Sequence, residues 1–208
     1  MAAEATAEIQ DGKADVNGVR YHYLLARGGG QTVVLLHGWG STSFMWRFVT
    51  PQLVARGYTV LVPDLRGLGD TTKPVTGYEK TVIAGRELEY LKWFHNSEAV
   101  NSRAFTNEAE ETYARAYGMP GALRAGFEYY RAFPNDVKAN QEFAKRKLTM
   151  PVLGIGGSGS FGPVIGNHLR HVANNVEAIN VEGSGHWVAE EQPAAVTDAL
   201  IKFLPPAR

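Results

Sequence analysis

The sequence predicts an α/β fold built on a mostly parallel sheet with flanking helices, and three observations predict it. Val33-Val34-Leu35-Leu36 and Tyr58-Thr59-Val60-Leu61-Val62 are continuous apolar, β-branched runs, the pattern of parallel strands covered by helices on both faces. The same strand-and-helix alternation returns near the end, with Pro151-Val152-Leu153-Gly154-Ile155 and Val176-Glu177-Ala178-Ile179-Asn180-Val181 as strands. Between them, from about Tyr78 to Leu148, the chain is rich in Glu, Lys, Arg, Ala and aromatics and shows no strand pattern, so it reads as a helical insert.

Taken in order, residues 1 to about 13 read as a loose tail. Val16-Asn17-Gly18-Val19-Arg20-Tyr21-His22-Tyr23 places an Asn-Gly pair between two short alternating runs, the strongest local signal for a hairpin. Phe44, Phe48, Leu53 and Val54 fall at near-helical spacing and suggest a crossover helix joining the first two parallel strands, with the right-handed sense such units take. The insert divides into helices near 79–95, 107–117, 121–132 and 135–147, and the last part into helices near 163–172 and 190–203. The expected organisation is one compact domain: 1–78 and 149–208 as two parts of a trunk, with 79–148 as a lid-like insert.

Bulk properties narrow the function. Lysine plus arginine balance aspartate plus glutamate at 21 each, so no net field favours nucleic acid or an anionic membrane, and a small neutral partner fits better. The chain has no cysteine, which excludes a disulfide framework, a zinc-thiolate site and a cysteine nucleophile together. No metal or cofactor is implied. The first residues are alanine-rich but acidic, unlike a secretory signal, and no run approaches the roughly 20 apolar residues of a membrane span. A cytoplasmic protein is the expectation.

Three motifs carry chemistry. The strand ending at Leu36 runs into His37-Gly38-Trp39-Gly40, where a glycine after a parallel strand turns the backbone sharply and aims amides into the crevice at the strand's C-terminal edge. There the Trp39 amide can donate to a developing oxyanion, although an ordinary strand-to-helix turn would read the same way. Asp64-Leu65-Arg66-Gly67-Leu68-Gly69-Asp70 follows the second parallel strand as a Gly-rich acidic turn, with a supporting role. Gly183-Ser184-Gly185-His186-Trp187 follows the last strand and places an imidazole in a Gly-flanked loop before the final helix.

In order and spacing these motifs resemble the epoxide hydrolase and dehalogenase branch of the α/β-hydrolases, and the resemblance covers nearly the whole chain. It implies an α/β-hydrolase-like fold and a small apolar substrate of the epoxide, ester or halide class. The implied mechanism is covalent: an elbow aspartate opens the epoxide or displaces the halide, and a histidine-activated water then hydrolyses the ester. In that scheme His186 is the general base, with a side chain suited to proton transfer near neutral pH. Tyr130, in Phe127-Glu128-Tyr129-Tyr130-Arg131, resembles the lid tyrosine that protonates the epoxide oxygen, and a helix aromatic packed on the trunk is the equal alternative. His37, Gly38 and Trp39 form the oxyanion turn.

Two parts of the scheme are absent from the sequence. No Ser or Asp has glycine both two before and two after it, so there is no nucleophile elbow. Ser158, in Gly156-Gly157-Ser158-Gly159-Ser160, comes nearest and fails at its last position. That turn also matches one place where the family keeps its relay acid, yet it holds no carboxylate. Glu182 is a candidate substitute, but a strand residue so near His186 in sequence reads first as a solvated face charge. The resemblance locates the gap near Ala84–Arg86, as one block containing the central strands. The strands on either side, Val33–Leu36 and Val152–Ile155, would be left with facing edges that either pair directly or recruit another chain, so a homodimer through exposed sheet edges is expected.

Overall fold

The computed structural model describes residues 8–73, 83 and 85–207. Residues 1–7 of the tail, Tyr78 to Val82 at the start of the expected insert helix, and Ala84 of the junction lie outside the described residues. Two compact units are present. The first comprises the described residues up to Lys92, with Thr106–Gly126 and the chain from Leu204; the second comprises Trp93–Phe105 and Phe127–Phe203.

The first unit is organised by a four-stranded sheet. Strands β1 (Ile9–Val16), β2 (Val19–Ala26), β3 (Thr32–Val34) and β4 (Thr59–Pro63) stand in the order β1-β2-β4-β3. The predicted hairpin forms with Val16 opposite Val19. Its turn residues Asn17 and Gly18 both take positive φ, 51° and 76°, which is what a two-residue turn needs to match the twist of its strands. The loose tail was expected to run to about residue 13, but the chain is already paired from Ile9, opposite Ala26. The strand escapes a hydropathy reading because Ile9–Val16 is an edge exposed on both faces and rich in charge.

β4 is the centre of this sheet, antiparallel to β2 and parallel to β3. Its alternate residues Val60 and Val62 are buried, and Val49, Leu53, Tyr58 and Leu68 complete the same core. The crossover between β3 and β4 is a single 3₁₀ turn, Ser43–Trp46, followed by a short helix α1 (Thr50–Val54), rather than the one helix that the spacing suggested. The Thr42 side chain caps the first turn by accepting from the Phe44 amide, and Pro51 starts the second.

Helix α2 (Glu87–Glu98) contributes to both units, and α3 (Asn107–Gly118), capped by Thr106, buries Tyr113 and Tyr117 in the first. Helix α4 (Ala122–Phe143) is one run of 22 residues where two helices were expected. Pro134 lies between the two expected helices, but a proline within a helix removes one backbone bond and need not end it.

The second unit is built on a parallel pair, β5 (Leu148–Gly157) and β6 (Ala173–Val181), joined through α5 (Gly162–Arg170). Helices α6 (Val188–Glu191) and α7 (Pro193–Phe203) follow, with Trp187, Ala189, Val196 and Ala199 buried. Among the described residues β3 and β5 belong to different sheets. Among the described residues no helix is long and apolar enough to cross a membrane, and no cluster of side chains could hold a metal ion.

Candidate active site

The His37-Gly38-Trp39-Gly40 turn follows β3 after Leu35 and Leu36. His37 is buried at 3% exposure, and both of its ring nitrogens are engaged. Nδ1 donates to the Gly38 carbonyl at 2.8 Å and Nε2 accepts from the Leu65 amide at 3.0 Å. This pattern requires the neutral tautomer, and burial pushes the imidazole below its ordinary pKa, with the Gly38 carbonyl and Asp64 opposing. His37 is thus a clamp between the turn and the loop after β4. The Gly40 amide donates to the Tyr117 hydroxyl at 2.6 Å, and the rings of Tyr117 and Tyr90 meet Trp39 edge-on at 5.6 and 6.1 Å. A Cβ on Gly126 would lie 2.3 Å from Trp39 Nε1, so α4 presents its smallest residue where the indole passes.

Behind the turn lies a cluster that the sequence reading reduced to a supporting loop. The Asp64 carboxylate accepts from His22 Nδ1 at 2.7 Å, the Ser43 amide at 2.8 Å and the Asp70 amide at 2.9 Å. Burial alone would raise its pKa, but these three donors and the nearby His37 hold it down to about 2. His22 is raised in turn, first by its bond to Asp64, against desolvation, with Asp11 assisting. Its Nε2 lies 3.3 Å from Asp11 Oδ2, within ion-pair range but without hydrogen-bond alignment. Thr71 closes the network: its hydroxyl donates to the Asp64 carbonyl at 2.7 Å and accepts from the His22 amide at 3.0 Å. A cleft of about 440 Å³ opens beside this cluster, with Thr42, Ser43, Asp70, Arg115 and Met119 in its wall. His22 gave no signal in sequence because its role depends on the β2–β4 register, which sets it opposite Asp64.

His186 and Tyr130 belong to the second unit. His186 is exposed in the loop after β6; its amide donates to the Glu98 carbonyl at 2.9 Å and its ring meets Trp187 edge-on at 4.9 Å. Trp187 is buried in an aromatic cluster with Phe94, His95 and Phe105, the last two stacked at 4.2 Å. The loop owes its shape to Glu191, another residue missed in sequence. This buried carboxylate accepts from the amides of Gly185, Trp187, Val100 and Asn101 at 2.8 to 3.1 Å. A glutamate five residues beyond a histidine carries no motif that would have marked it.

No carboxylate stands in the turn where the resemblance expects a relay acid. Glu182 is exposed, and among the described residues no carboxylate pairs with the His186 ring. The Ser158 hydroxyl accepts from the Gly183 amide at 3.2 Å. The turn around it is filled: a Cβ on Gly157 would meet the Gly185 carbonyl at 2.1 Å, and one on Gly159 would meet Val100 at 2.4 Å. Tyr130 stands on α4 at 46% exposure, its ring 5.3 Å from Phe133, and partial burial raises its phenol pKa. The structure therefore gathers His37, Gly38 and Trp39 into one network, and places His186 and Tyr130 on separate elements of the other unit.

Comparison with known proteins bears on the family. The Alpha/beta hydrolase family model matches residues 33–92, from β3 into α2. The chain is 30% identical to the soluble epoxide hydrolase of Corynebacterium sp. (strain C12), over 98% of this chain and 100% of that protein. It is 32% identical to the haloalkane dehalogenase of Mycobacterium marinum, over 61% of this chain and 40% of that protein. Among solved structures, Cfl2 from Burkholderia cenocepacia superposes with a TM-score of 0.86 at 25% identity, covering 95% of this chain and 96% of that one. The Corynebacterium alignment spans 288 positions, whereas 98% of 208 residues fills only about 204 of them. Some 80 positions of that relative thus have no counterpart here, and since both chains align nearly end to end, they fall inside the chain. The chain belongs to the α/β-hydrolase family, in its epoxide-hydrolase-like branch.

Proposed function

We propose that this chain binds a small apolar epoxide, ester or halide and hydrolyses it very slowly or not at all. One observation carries the reading: the alignment with the Corynebacterium enzyme leaves some 80 internal positions empty, and the sequence has no Gly-x-nucleophile-x-Gly turn. The Trp39 amide, braced by the His37 clamp, is the oxyanion donor of this proposal. His186 is the base and Tyr130 the lid phenol. Residues 1–78 and 149–208 act as trunk and 79–148 as lid, in the cytoplasm. What is lacking is the carboxylate whose attack on carbon would form the ester that His186 and water resolve.

The test is hydrolysis of a generic epoxide and an aryl ester by the purified protein beside His186→Ala. Both are expected to stay within about twofold of the blank, because a positioned base without its nucleophile loses the covalent route. Ready turnover that His186→Ala abolishes would overturn the reading. A second reading, a ligand-binding module without chemistry, draws support from the intact network around His37, Gly40 and Tyr117. Saturable binding of an unreactive apolar epoxide analogue distinguishes it from a deletion product with no selected role, which would bind nothing and melt without cooperativity.

A further inference from the structure

Independently of the proposed chemistry, we infer that a second copy of this chain pairs on the outer edge of β5, forming an antiparallel two-fold dimer with the sheet order β6-β5-β5-β6. Among the described residues four strands stand at sheet edges. β1 carries Asp11, Lys13 and Asp15, the charges that block edge-to-edge pairing. β3 has three residues, too few for a ladder. β6 carries Glu177. β5 alone is long and unguarded: ten residues, Leu-Thr-Met-Pro-Val-Leu-Gly-Ile-Gly-Gly, without a charge. A two-fold axis sets each residue against the same surface of its partner, so any charge there would face itself; β5 has none, and the chain's formal net charge of zero adds no long-range repulsion.

Backbone alternation fixes the register. The Ser158 amide donates to the Val181 carbonyl across the β5–β6 pair. Counting back by two, the amides of Gly156, Gly154 and Val152 face β6, and those of Leu153, Ile155 and Gly157 face outward. Pro151 is the next outward position and has no N–H, so it ends the free ladder. With the axis at Ile155, that residue pairs with itself and Leu153 with Gly157; the Gly157 carbonyl already accepts from the Ser160 amide at 3.0 Å, so about four backbone hydrogen bonds cross the seam. Leu148 and Met150, 46% and 56% exposed, continue the apolar strip beyond it. Such a contact closes on itself, because it uses up both β5 edges and leaves only the β6 edges with Glu177 outermost.

Sedimentation and single-cysteine cross-linking test this in the full chain. The protein has no cysteine of its own, so Ile155→Cys can cross-link only to another copy. Hydrogen-bonded antiparallel partners have Cα atoms about 5.5 Å apart, within the span of about 4.4–6.8 Å that a disulfide bridges. The wild type is expected to sediment as a dimer in the micromolar range, and oxidised Ile155→Cys to run mainly as a covalent dimer. Glu177→Cys, on the opposite edge, should remain monomeric on a denaturing gel. Leu153→Pro, which removes one outward donor and keeps the β6 ladder, should shift the equilibrium toward monomer by tenfold or more, about 1.4 kcal/mol. A wild-type monomer throughout that range, open-ended aggregates, or equal cross-linking at 155 and 177 would overturn the proposal. Should Leu153→Pro fail to fold, the cross-linking pair still decides.

Discussion

Nδ1 of His22 lies 2.7 Å from Oδ2 of Asp64, with both side chains buried, and this pair locks the β2–β4 strand pair to the loop that follows it. Asp64 is held at about 2 against an ordinary 3.8, so its contribution is complete above 3.8 and is lost as the pH falls through about 2. His22 is raised above 6.5, so its contribution is complete below 6.5 and is lost as the pH rises through the raised value. Thermal stability should therefore plateau between roughly pH 4 and 6.5 and decline on both sides. Asp64→Asn should cost about 2 kcal/mol on the plateau and flatten both limbs. Melting temperatures from acid to alkaline pH check this, and an unchanged profile in Asp64→Asn would count against it.

Glu191 satisfies four amides of two chain segments with one carboxylate. Glu191→Ala leaves those donors without their charged acceptor and should cost about 3 kcal/mol or more. Hydrogen exchange should quicken at Val100, Gly185 and Trp187 well before the strands are affected. Glu191→Gln keeps one acceptor oxygen and should be milder on both measures.

Around the His37–Gly40 turn, Tyr117→Phe removes the hydroxyl that receives the Gly40 amide at 2.6 Å. The expected cost is about 1–2 kcal/mol. Gly126→Ala places a methyl 2.3 Å from the Trp39 indole nitrogen and should cost about 1–3 kcal/mol through overpacking. Tryptophan emission should shift in Gly126→Ala and stay closer to wild type in Tyr117→Phe, which separates displacement of the ring from loss of one hydrogen bond.

Reinsertion tests the reading of the gap. A chimera carrying the unmatched internal segment of the Corynebacterium enzyme between Gly85 and Arg86 should gain epoxide turnover at least about 100-fold above the present chain. His186→Ala in the chimera should remove that gain. A chimera that folds, binds an epoxide and remains inert would place the defect elsewhere.

Much of the fold was legible because its signals are local. The Asn17-Gly18 turn, the apolar runs that become β3 to β6, and the glycines flanking His37 and His186 each read within a few residues. What escaped was either exposed or distant. β1 shows no hydrophobic face because it is an edge, and α4 continues through Pro134 where the local rule suggests a break. His22 and Glu191 acquire their roles only through a strand register and a loop packing that no window of sequence contains. The elbow's absence, by contrast, was fully legible, since a missing five-residue pattern needs no tertiary context.

The two strand-turn-strand crossovers, β3 through α1 to β4 and β5 through α5 to β6, each survive whole on their own side of the gap. Loop closure in each is offset by its own parallel pair, so neither depends on the absent block for its topology. Each crossover therefore keeps a short, parallel closure within its own unit.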